Sequence, residues 1–476
     1  MHWSCCFRPR RSGLSPFRNA GNGGCMMKAR GWPRRFLRHG LSATTGGSQP
    51  GRKQTALRAA PAILILLLPV FGRQEVGRQT KEPLIGFSEH LIMSGYGYAY
   101  GLAVGDLDED GDLDLTSADA EGRCMYWFEN DGKGNFRRHF VQRPSAERRW
   151  LERHAIGDVN LDRHLDVVSV DNVNGRLLWF ENNGAPAAAQ EWKQHVITDA
   201  MAKAYDVALV DIDNDGDLDV VCSSWLGNAI AWFENPYARK EDRSRPIPRQ
   251  SDRRSPGSGA REEGPWLKHM IDADLTESRT IRVADFDQDG YPDLLATGTG
   301  RNLVVWYQHP GADVSRPWRR HVIADTMFRP IHGHPVDMDG DGDIDVVMAG
   351  GSGDESRGSV VWYENDGKPA GGTWKSHVIC EHLPTASEAF AADLDADGTV
   401  EVVVTRWGRQ GGLYLFKHTG DPRGLWRQQA LKEGWVKASQ VLIADLDGDK
   451  LPDIVAEAER GSNDCRWWRN LGRKRE

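Results

Sequence analysis

The chain has 476 residues, with 60 Lys and Arg against 68 Asp and Glu and a formal charge of −8 at pH 7. That acidic balance argues against nucleic acid as a partner, and the sequence holds no nucleophile elbow, phosphate-cradling glycine loop or zinc signature. The length admits two or three ordinary domains, or one large closed all-β domain.

Residues 1–72 differ in kind from the rest, with twelve Lys and Arg and no Asp or Glu. They run into PAILILLLPVFG, Pro61 to Gly72, preceded by Arg52, Lys53 and Arg58. This is the anatomy of a basic leader and secretory signal peptide, with Val70 and Gly72 as small residues before a cut. The apolar stretch is too short to span a bilayer comfortably, so no stable membrane span is expected, an uncleaved anchor being the alternative. Met26 or Met27 would serve as later starts, and Cys5, Cys6 and Cys25 would then lie outside the mature protein. The expected location is secreted, extracellular or periplasmic, and residues 73–86 read as a linker.

From residue 87 to 472 the chain is a repeat array. The pattern D-x-D-x-D-G-x-x-D returns seven times: DLDEDGDLD from Asp106, DVNLDRHLD from Asp158, DIDNDGDLD from Asp211, DFDQDGYPD from Asp285, DMDGDGDID from Asp337, DLDADGTVE from Asp393 and DLDGDKLPD from Asp445. Successive starts lie 52, 53, 74, 52, 56 and 52 residues apart. Each loop is preceded by an apolar segment such as LAVG or VALV and followed by a β-branched run such as DVVSV. Further on come an aromatic phrase (YWFEN, LWFEN, AWFEN, VWYQH, VWYEN, YLFKH, WWRN) and, in six units, a short segment such as HFV or HVI. Four short strands per unit, separated by Gly and Asx turns, is the content of a propeller blade. The seventh unit stops at WWRN without a fourth strand, whereas HLI at His90 precedes the first loop. The expectation is therefore an all-β, seven-bladed β-propeller of four-stranded antiparallel blades. The N-terminal strand pairs into the last blade and closes the ring, which removes exposed sheet edges. An open solenoid is the alternative.

The long spacing contains an insertion, 237–264, rich in Arg, Pro, Ser and Gly and too poor in apolar residues for a core of its own. It is expected to be a mobile loop in blade three, and residues 473–476 form a basic tail. Cys124, Cys222, Cys380 and Cys465 show no close-spaced pair and read as small buried hydrophobes. A bridge between Cys124 and Cys465, which fall at neighbouring positions of the first and last units, is the alternative.

Carboxylates alternating along a tight turn put oxygen donors at positions 1, 3, 5 and 9 and a main-chain carbonyl at 7. Hard oxygen ligands in a flexible array suit calcium, and glycine at position 6 permits the sharp bend. The candidate ligand sets are Asp106, Asp108, Asp110, Asp112 and Asp114; Asp211, Asp213, Asp215, Asp217 and Asp219; Asp285, Asp287, Asp289, Tyr291 and Asp293; Asp337, Asp339, Asp341, Asp343 and Asp345; and Asp393, Asp395, Asp397, Thr399 and Glu401. The second loop departs with Asn160 and Arg163, and the seventh with Lys450 in the glycine place, beside carboxylates it could neutralise. Several calcium ions, mainly structural, are expected.

These loops, their periodicity and the WFEN phrases resemble the FG-GAP or VCBS repeats of calcium-binding seven-bladed propellers, the integrin α-subunit head among them. The resemblance covers the chain from about Phe87 onward. It implies that the loops join the innermost strand to the second on the lower face of the propeller, and it implies fold and calcium more than biological role.

Five places before the first Asp of each loop stand Gly101, Arg153, Asp206, Thr280, His332, Glu388 and Gln440. Six of the seven are polar within apolar strands, and alternation should aim them together toward the upper mouth of the central channel. His154 and His334 are near in sequence, Tyr98, Tyr100 and Tyr205 sit near the same entrance, and the turns after second strands add Trp225, Arg406 and Trp407. A wet polar channel lining is the plain reading. The functional one is a ligand-binding or adhesion module for a carbohydrate or an extracellular protein, with Tyr98, Tyr205, Trp225, Arg406 and Trp407 as contacts. The alternative is a sugar-active lyase or dehydratase, aldos-2-ulose dehydratase-like, with His332, His334, Arg153, Asp206 and Glu388 as catalytic candidates.

Overall fold

The computed structural model describes residues 83–237, 265–351 and 353–473; the leader and signal, residues 73–82 of the linker, the insertion after Tyr237, residue 352 and the last three residues of the tail lie outside them. Among the described residues, regular structure consists of 28 strands and one 3-10 turn, Thr299–Arg301, and no helix is long and apolar enough to cross a membrane.

The first unit sets the pattern. Ala99–Gly105, Asp114–Asp119, Cys124–Asn130 and Phe136–Gln142 lie side by side in that order, all antiparallel. Second strands are covered on both faces and read as nearly continuous apolar runs; DVVSVD, Asp166–Asp171, is buried throughout. Fourth strands, such as Lys193–Thr198, alternate between buried and exposed residues because only one face meets the core.

The result is an all-β propeller in which five blades of four antiparallel strands stand as separate sheets. The strands of the units at Asp337 and Asp393 share one eight-stranded sheet. Its halves, each an antiparallel run of four, meet through a single parallel bridge from His332 to Glu388. The strand Phe87–Ser94 pairs along Asp464–Asn470, from Phe87 opposite Asn470 to Ser94 opposite Asp464, and so supplies the fourth strand of the last sheet.

Large buried side chains lie between sheets. Trp127, Trp179, Trp232, Trp306, Trp362 and Trp468 are almost wholly inaccessible. One cluster joins Leu102, Leu115 and Phe128 of the first unit to Val455 and Trp467 of the last. Cys124 and Cys465 both belong to this cluster, and all four described cysteines are free and buried.

The Asn that ends each WFEN phrase clamps neighbouring units together. Asn130 donates from Nδ2 to Leu113 O in its own unit at 2.9 Å and to Leu446 O in the seventh loop at 2.8 Å. Asn182, Asn235, Asn365 and Asn470 repeat the bond to the loop of the unit before, and His309 Nε2 does so to Ile212 O at 2.9 Å. His418, at this place in the sixth unit, has a buried Nε2 without a partner.

The inner strands are irregular at one recurrent point. Pairing with the second strand jumps from Ala99 to Leu102, Leu151 to His154, Ala204 to Val207, Ser278 to Ile281, Pro330 to Gly333, Ala386 to Glu388 and Ala438 to Val441. Six of the seven polar-ring positions fall in these bulges, and Glu388 follows immediately on the seventh. A bulge re-aims a side chain that a regular ladder would hold against its neighbour. Gly101 is the exception that had to lack a side chain: with φ +141°, a Cβ there would come within 2.5 Å of Glu152 O.

Candidate functional site

Each acidic loop is built by the same bonds. Position 1 accepts the N–H of position 6: Asp106 Oδ2 from Gly111 at 3.2 Å, Asp211 from Gly216 at 3.1 Å and Asp393 from Gly398 at 2.9 Å. Position 6 takes a positive φ throughout, including Arg163 at 84° and Lys450 at 74°, where glycine is absent. Position 9 is a buried staple. Asp114 accepts Leu107 N at 3.0 Å and Asn130 N at 2.8 Å, and Asp219, Asp293 and Asp345 repeat both bonds.

Among the described residues, carboxylate oxygens converge within 4.8 Å of one another in at least five loops. In the first and fifth loops these belong to Asp106, Asp108 and Asp114, and to Asp337, Asp339 and Asp345. In the third and fourth they belong to Asp211, Asp213 and Asp215, and to Asp285, Asp287 and Asp289; in the sixth to Asp393, Asp395 and Glu401. Asp110, Asp112, Asp217, Asp219, Asp293, Asp341, Asp343 and Asp397 flank these triads. Tyr291 stacks on His309 at 5.0 Å. Asp106 Oδ1, Asp108 Oδ1, Asp217 Oδ2 and Asp287 Oδ1 are buried and make no hydrogen bond. Burial, followed by the charges of Asp215, Asp219, Asp213 and Asp211, pushes Asp217 up to about 10; burial likewise pushes Asp114 and Asp345 up to about 7 and Asp293 to about 8. Unpaired buried carboxylate oxygens are costly, and a divalent cation is the group that satisfies such a set. The residues of the first, third and fourth loops therefore fit a metal ion, and the fifth gathers three carboxylates in the same way, with Arg423 on one of them. A cleft of about 640 Å³ between the third and fourth loops is lined by their own residues, among them Asp211, Asn214, Asp285, Asp289 and Tyr291.

The last side chain before the closing Asn or His of the aromatic phrase addresses position 3 of its own loop, a role the nonapeptide alone does not disclose. Glu129, Glu234 and Glu364 are close enough to raise Asp108, Asp213 and Asp339, though burial does so first. Gln308 donates to Asp287 Oδ2 at 2.6 Å. The histidine of the fourth strand holds the acid in place: His139 meets Glu129 at 2.5 Å and stacks on Trp127 at 4.5 Å, and His269 and His377 do the same with Glu234 and Trp232 and with Glu364 and Trp362. In the sixth and seventh units this place is taken by Lys417 and Arg469. Lys417 Nζ lies 3.2 Å from Asp395, 3.1 Å from Asp397 and 3.5 Å from Thr399 Oγ1, and is bonded to Glu401. The sixth loop thus does not fit a metal ion as it stands. In the seventh, the cation on the carboxylates is Arg469, paired with Asp447, whereas Lys450 is exposed and engages Asp445 through its backbone N–H.

At the other end of the inner strands the polar ring closes on itself. Arg153 grips Glu388 with both terminal guanidinium nitrogens, at 3.2 and 2.5 Å. Arg282 bridges Glu388 at 2.9 Å and Asp206 at 2.9 Å. His332 Nδ1 contacts Thr280 Oγ1 at 2.8 Å and lies 3.9 Å from Asp206 Oδ2. The structure thus brings Arg153, Asp206, His332 and Glu388 together, all buried. Gln440 bonds to the Leu102 backbone instead, and His334 stacks on Phe390 at 4.0 Å. Burial, and then the charges of Arg153, Arg282 and Arg279, hold His332 well below the usual imidazole range. Its ring is neutral at pH 7, with Nε2 buried and unpartnered.

Above this plug lies a rim of aromatic and charged side chains. Tyr98 packs on Trp150 at 5.2 Å with the Arg460 guanidinium 4.5 Å over its ring. Trp150 donates to Glu152 Oε1 at 2.7 Å, while Glu152 Oε2 is buried without a partner. Tyr205 bonds to Tyr100 at 2.7 Å and accepts from Arg279 at 3.0 Å, and Arg279 also covers Trp225 at 5.4 Å. Trp407 donates to Glu459 and lies under Lys437 at 4.5 Å. Arg406 is tied to Pro384 O at 2.9 Å. Trp150, Glu152, Arg279, Arg282, Arg460 and Glu459 were not singled out in the sequence. Glu152 and Arg279 stand one place before the ring position and Arg282 two places after it, so extending the same register by two residues would have found them.

His154 illustrates the proton linkage of this region. Its Nδ1 faces Glu152 O at 3.1 Å and must donate, so Nε2 accepts from Thr116 Oγ1 at 2.7 Å and the ring is neutral. Burial lowers it to about 4, below the ordinary 6.5, against the two hydrogen bonds that raise it. The unfolded chain therefore binds the proton more tightly, and stability present above pH 6.5 is lost as pH falls toward 4. The expected slope from this group is about 1.4 kcal/mol per pH unit. Urea unfolding from pH 7 to 4 should show His154→Gln flattening the curve by that amount; an unchanged slope would refute the assignment.

The geometry defines a class: an all-β propeller whose units carry acidic hairpin loops, several of them able to hold metal ions. The chain belongs to the FG-GAP-like repeat family, whose profile matches residues 106–169, 158–222, 285–348, 337–404 and 393–456, more than half of the chain. Two solved structures that it resembles are of BBS1N in complex with ARL6DN, soaked with lead or with mercury. Each is 11% identical; the TM-scores are 0.49 and 0.48, covering 82% and 81% of this chain and 98% and 96% of theirs. No curated protein matches the sequence.

Proposed function

We propose that this chain is a secreted, calcium-stabilised ligand-binding or adhesion module that takes its ligand on the aromatic rim. One observation carries this reading: the groups best suited to chemistry, Arg153, Glu388, Asp206 and His332, are spent on one another in a buried network, while Tyr98, Trp150, Trp225 and Trp407 above them remain partly exposed beside Arg460, Arg279 and Lys437. Aromatic faces flanked by fixed charges suit a polyhydroxylated ligand or the side chains of a protein partner. In this reading the eight-stranded sheet counts as two blades, making seven; its single bridge and the four-strand content of each half support the count. Oxygen-only donors in a bent nonapeptide favour calcium over softer metals. The basic leader and the apolar Pro61–Gly72 segment support export, with the linker at 73–86, the propeller over 87–472 and the tail after it.

A glycan array and an extracellular-protein panel, probed with the full chain in calcium, test the proposal. Binding lost in Trp150→Ala and Tyr98→Ala variants that still fold would support it, and the panel that responds names the ligand class. Turnover of a sugar substrate, or binding indifferent to both variants, would overturn it.

A further inference from the structure

We propose that Lys417 is a tethered cation that takes the place of the metal ion in the sixth loop, and that Arg469 does the same in the seventh. The ammonium of Lys417 sits among the oxygens that a metal would need, at positions 3, 5, 7 and 9 of its loop: Asp395, Asp397, Thr399 and Glu401. Lys417 is largely buried, and Asp395 and Glu401 almost wholly so. Glu401 confirms the adaptation. In the first, third, fourth, fifth and seventh loops the position-9 Asp gives both oxygens to backbone N–H groups; Glu401 gives Oε2 to Leu394 N at 2.9 Å and Oε1 to Lys417. The replacement of Asp by the longer Glu thus accompanies the replacement of Glu by Lys at the end of the third strand. Arg473 adds a second cation, 2.8 Å from Asp395. In the seventh loop Arg469 pairs with Asp447 and lies 3.6 Å from Asp449.

The contrast with the other units is one of charge at a single structural place. Glu129, Glu234 and Glu364 are anionic and Gln308 is neutral there, so that place supplies no counter-ion to their loops. Arg423 approaches the fifth loop, where it pairs with Asp339 and with Glu364 at 2.7 Å. It contacts one carboxylate of that triad, whereas Lys417 contacts Asp395, Asp397 and Glu401 together. The two self-neutralised units are consecutive, and the second receives the N-terminal strand Phe87–Ser94. The loops beside the ring closure would then hold their shape whether or not metal is present.

The inference rests on the calcium reading only for the comparison with the other loops. Calcium bound per chain is counted after equilibrium with excess ion for the wild type, for Lys417→Gln and for Lys417→Glu combined with Arg473→Ala. The expected result is one more ion per chain in the Glu variant than in the wild type. An unchanged count in a folded variant would overturn the proposal. If the wild type binds none and the variant binds one, the proposal stands and the calcium reading of the other loops falls. Should the charged variant fail to fold, reductive methylation of the wild type decides. Lys417 should react more slowly than the exposed Lys193, equally with and without calcium. A rate that rises with calcium would show the ion displacing the lysine and would overturn the proposal.

Discussion

Replacing Glu388 by alanine is expected to cost the fold about 3–5 kcal/mol, the usual effect of removing one partner from a buried ion pair. Glu388 is 1% exposed and receives three charged hydrogen bonds, two from Arg153 and one from Arg282. Without it Arg153, 2% exposed and already carrying an unpartnered Nε, would be an uncompensated buried cation. Arg282 would keep Asp206. Urea unfolding in the presence of calcium measures the loss. The double variant Arg153→Met with Glu388→Leu should recover most of it, because replacing a buried pair by apolar side chains of similar volume is often neutral or stabilising. A loss below about 1 kcal/mol, the level of an exposed pair, would show that the network is solvated in solution.

The second large effect should follow chelation. Each ion that binds only the folded chain adds RT ln(1 + [L]/Kd), about 2.7 kcal/mol at a hundredfold excess over Kd. With three loops fitted for metal and the fifth gathering its carboxylates in the same way, excess chelator should lower the melting temperature by many degrees. Asp337→Asn, which weakens one set, should remove only part of the calcium-dependent increment. Equal melting in chelator and in millimolar calcium would sink the calcium reading. The pattern of loss is informative as well: substitutions at Asp395, in the self-neutralised loop, should destabilise the protein without changing its response to calcium.

The repeat was legible because its chemistry is local. An alternation of carboxylates closed by glycine announces a turn that gathers oxygen donors, and the aromatic and β-branched runs beside it announce strands whose partners are sequence neighbours. The same locality made the role of His90 readable, since a strand lacking at one end of the array and surplus at the other has one place to go. Less legible was the site at position 3 of each loop. Glu129, Gln308, Lys417 and Arg469 stand in one column of the aromatic phrase, but which oxygens that column faces depends on how the third strand lies across the loop. The sixth loop therefore looks like a sound metal site from its own nine residues, while Lys417, sixteen residues past Glu401, decides otherwise.

The polar ring shows the same division. Alternation along the inner strands singled out Arg153, Asp206, His332 and Glu388, and they do meet. Regular alternation is not what brings them there, since each inner strand bulges at this level. Arg282, two places beyond the ring position, completes the network because a long guanidinium reaches where a register count does not.

By itself the amino-acid sequence determined the unit: four strands, an acidic turn, and the glycine or its substitute that bends it, all set by interactions within about fifty residues. Only the tertiary structure decided which charges neutralise which. Arg153 and Glu388 are 235 residues apart, and Asn130 and the Leu446 carbonyl 316. Such pairs form when the ring closes and excludes water around them, so the low-dielectric centre that gives them their strength does not exist until the whole array is assembled.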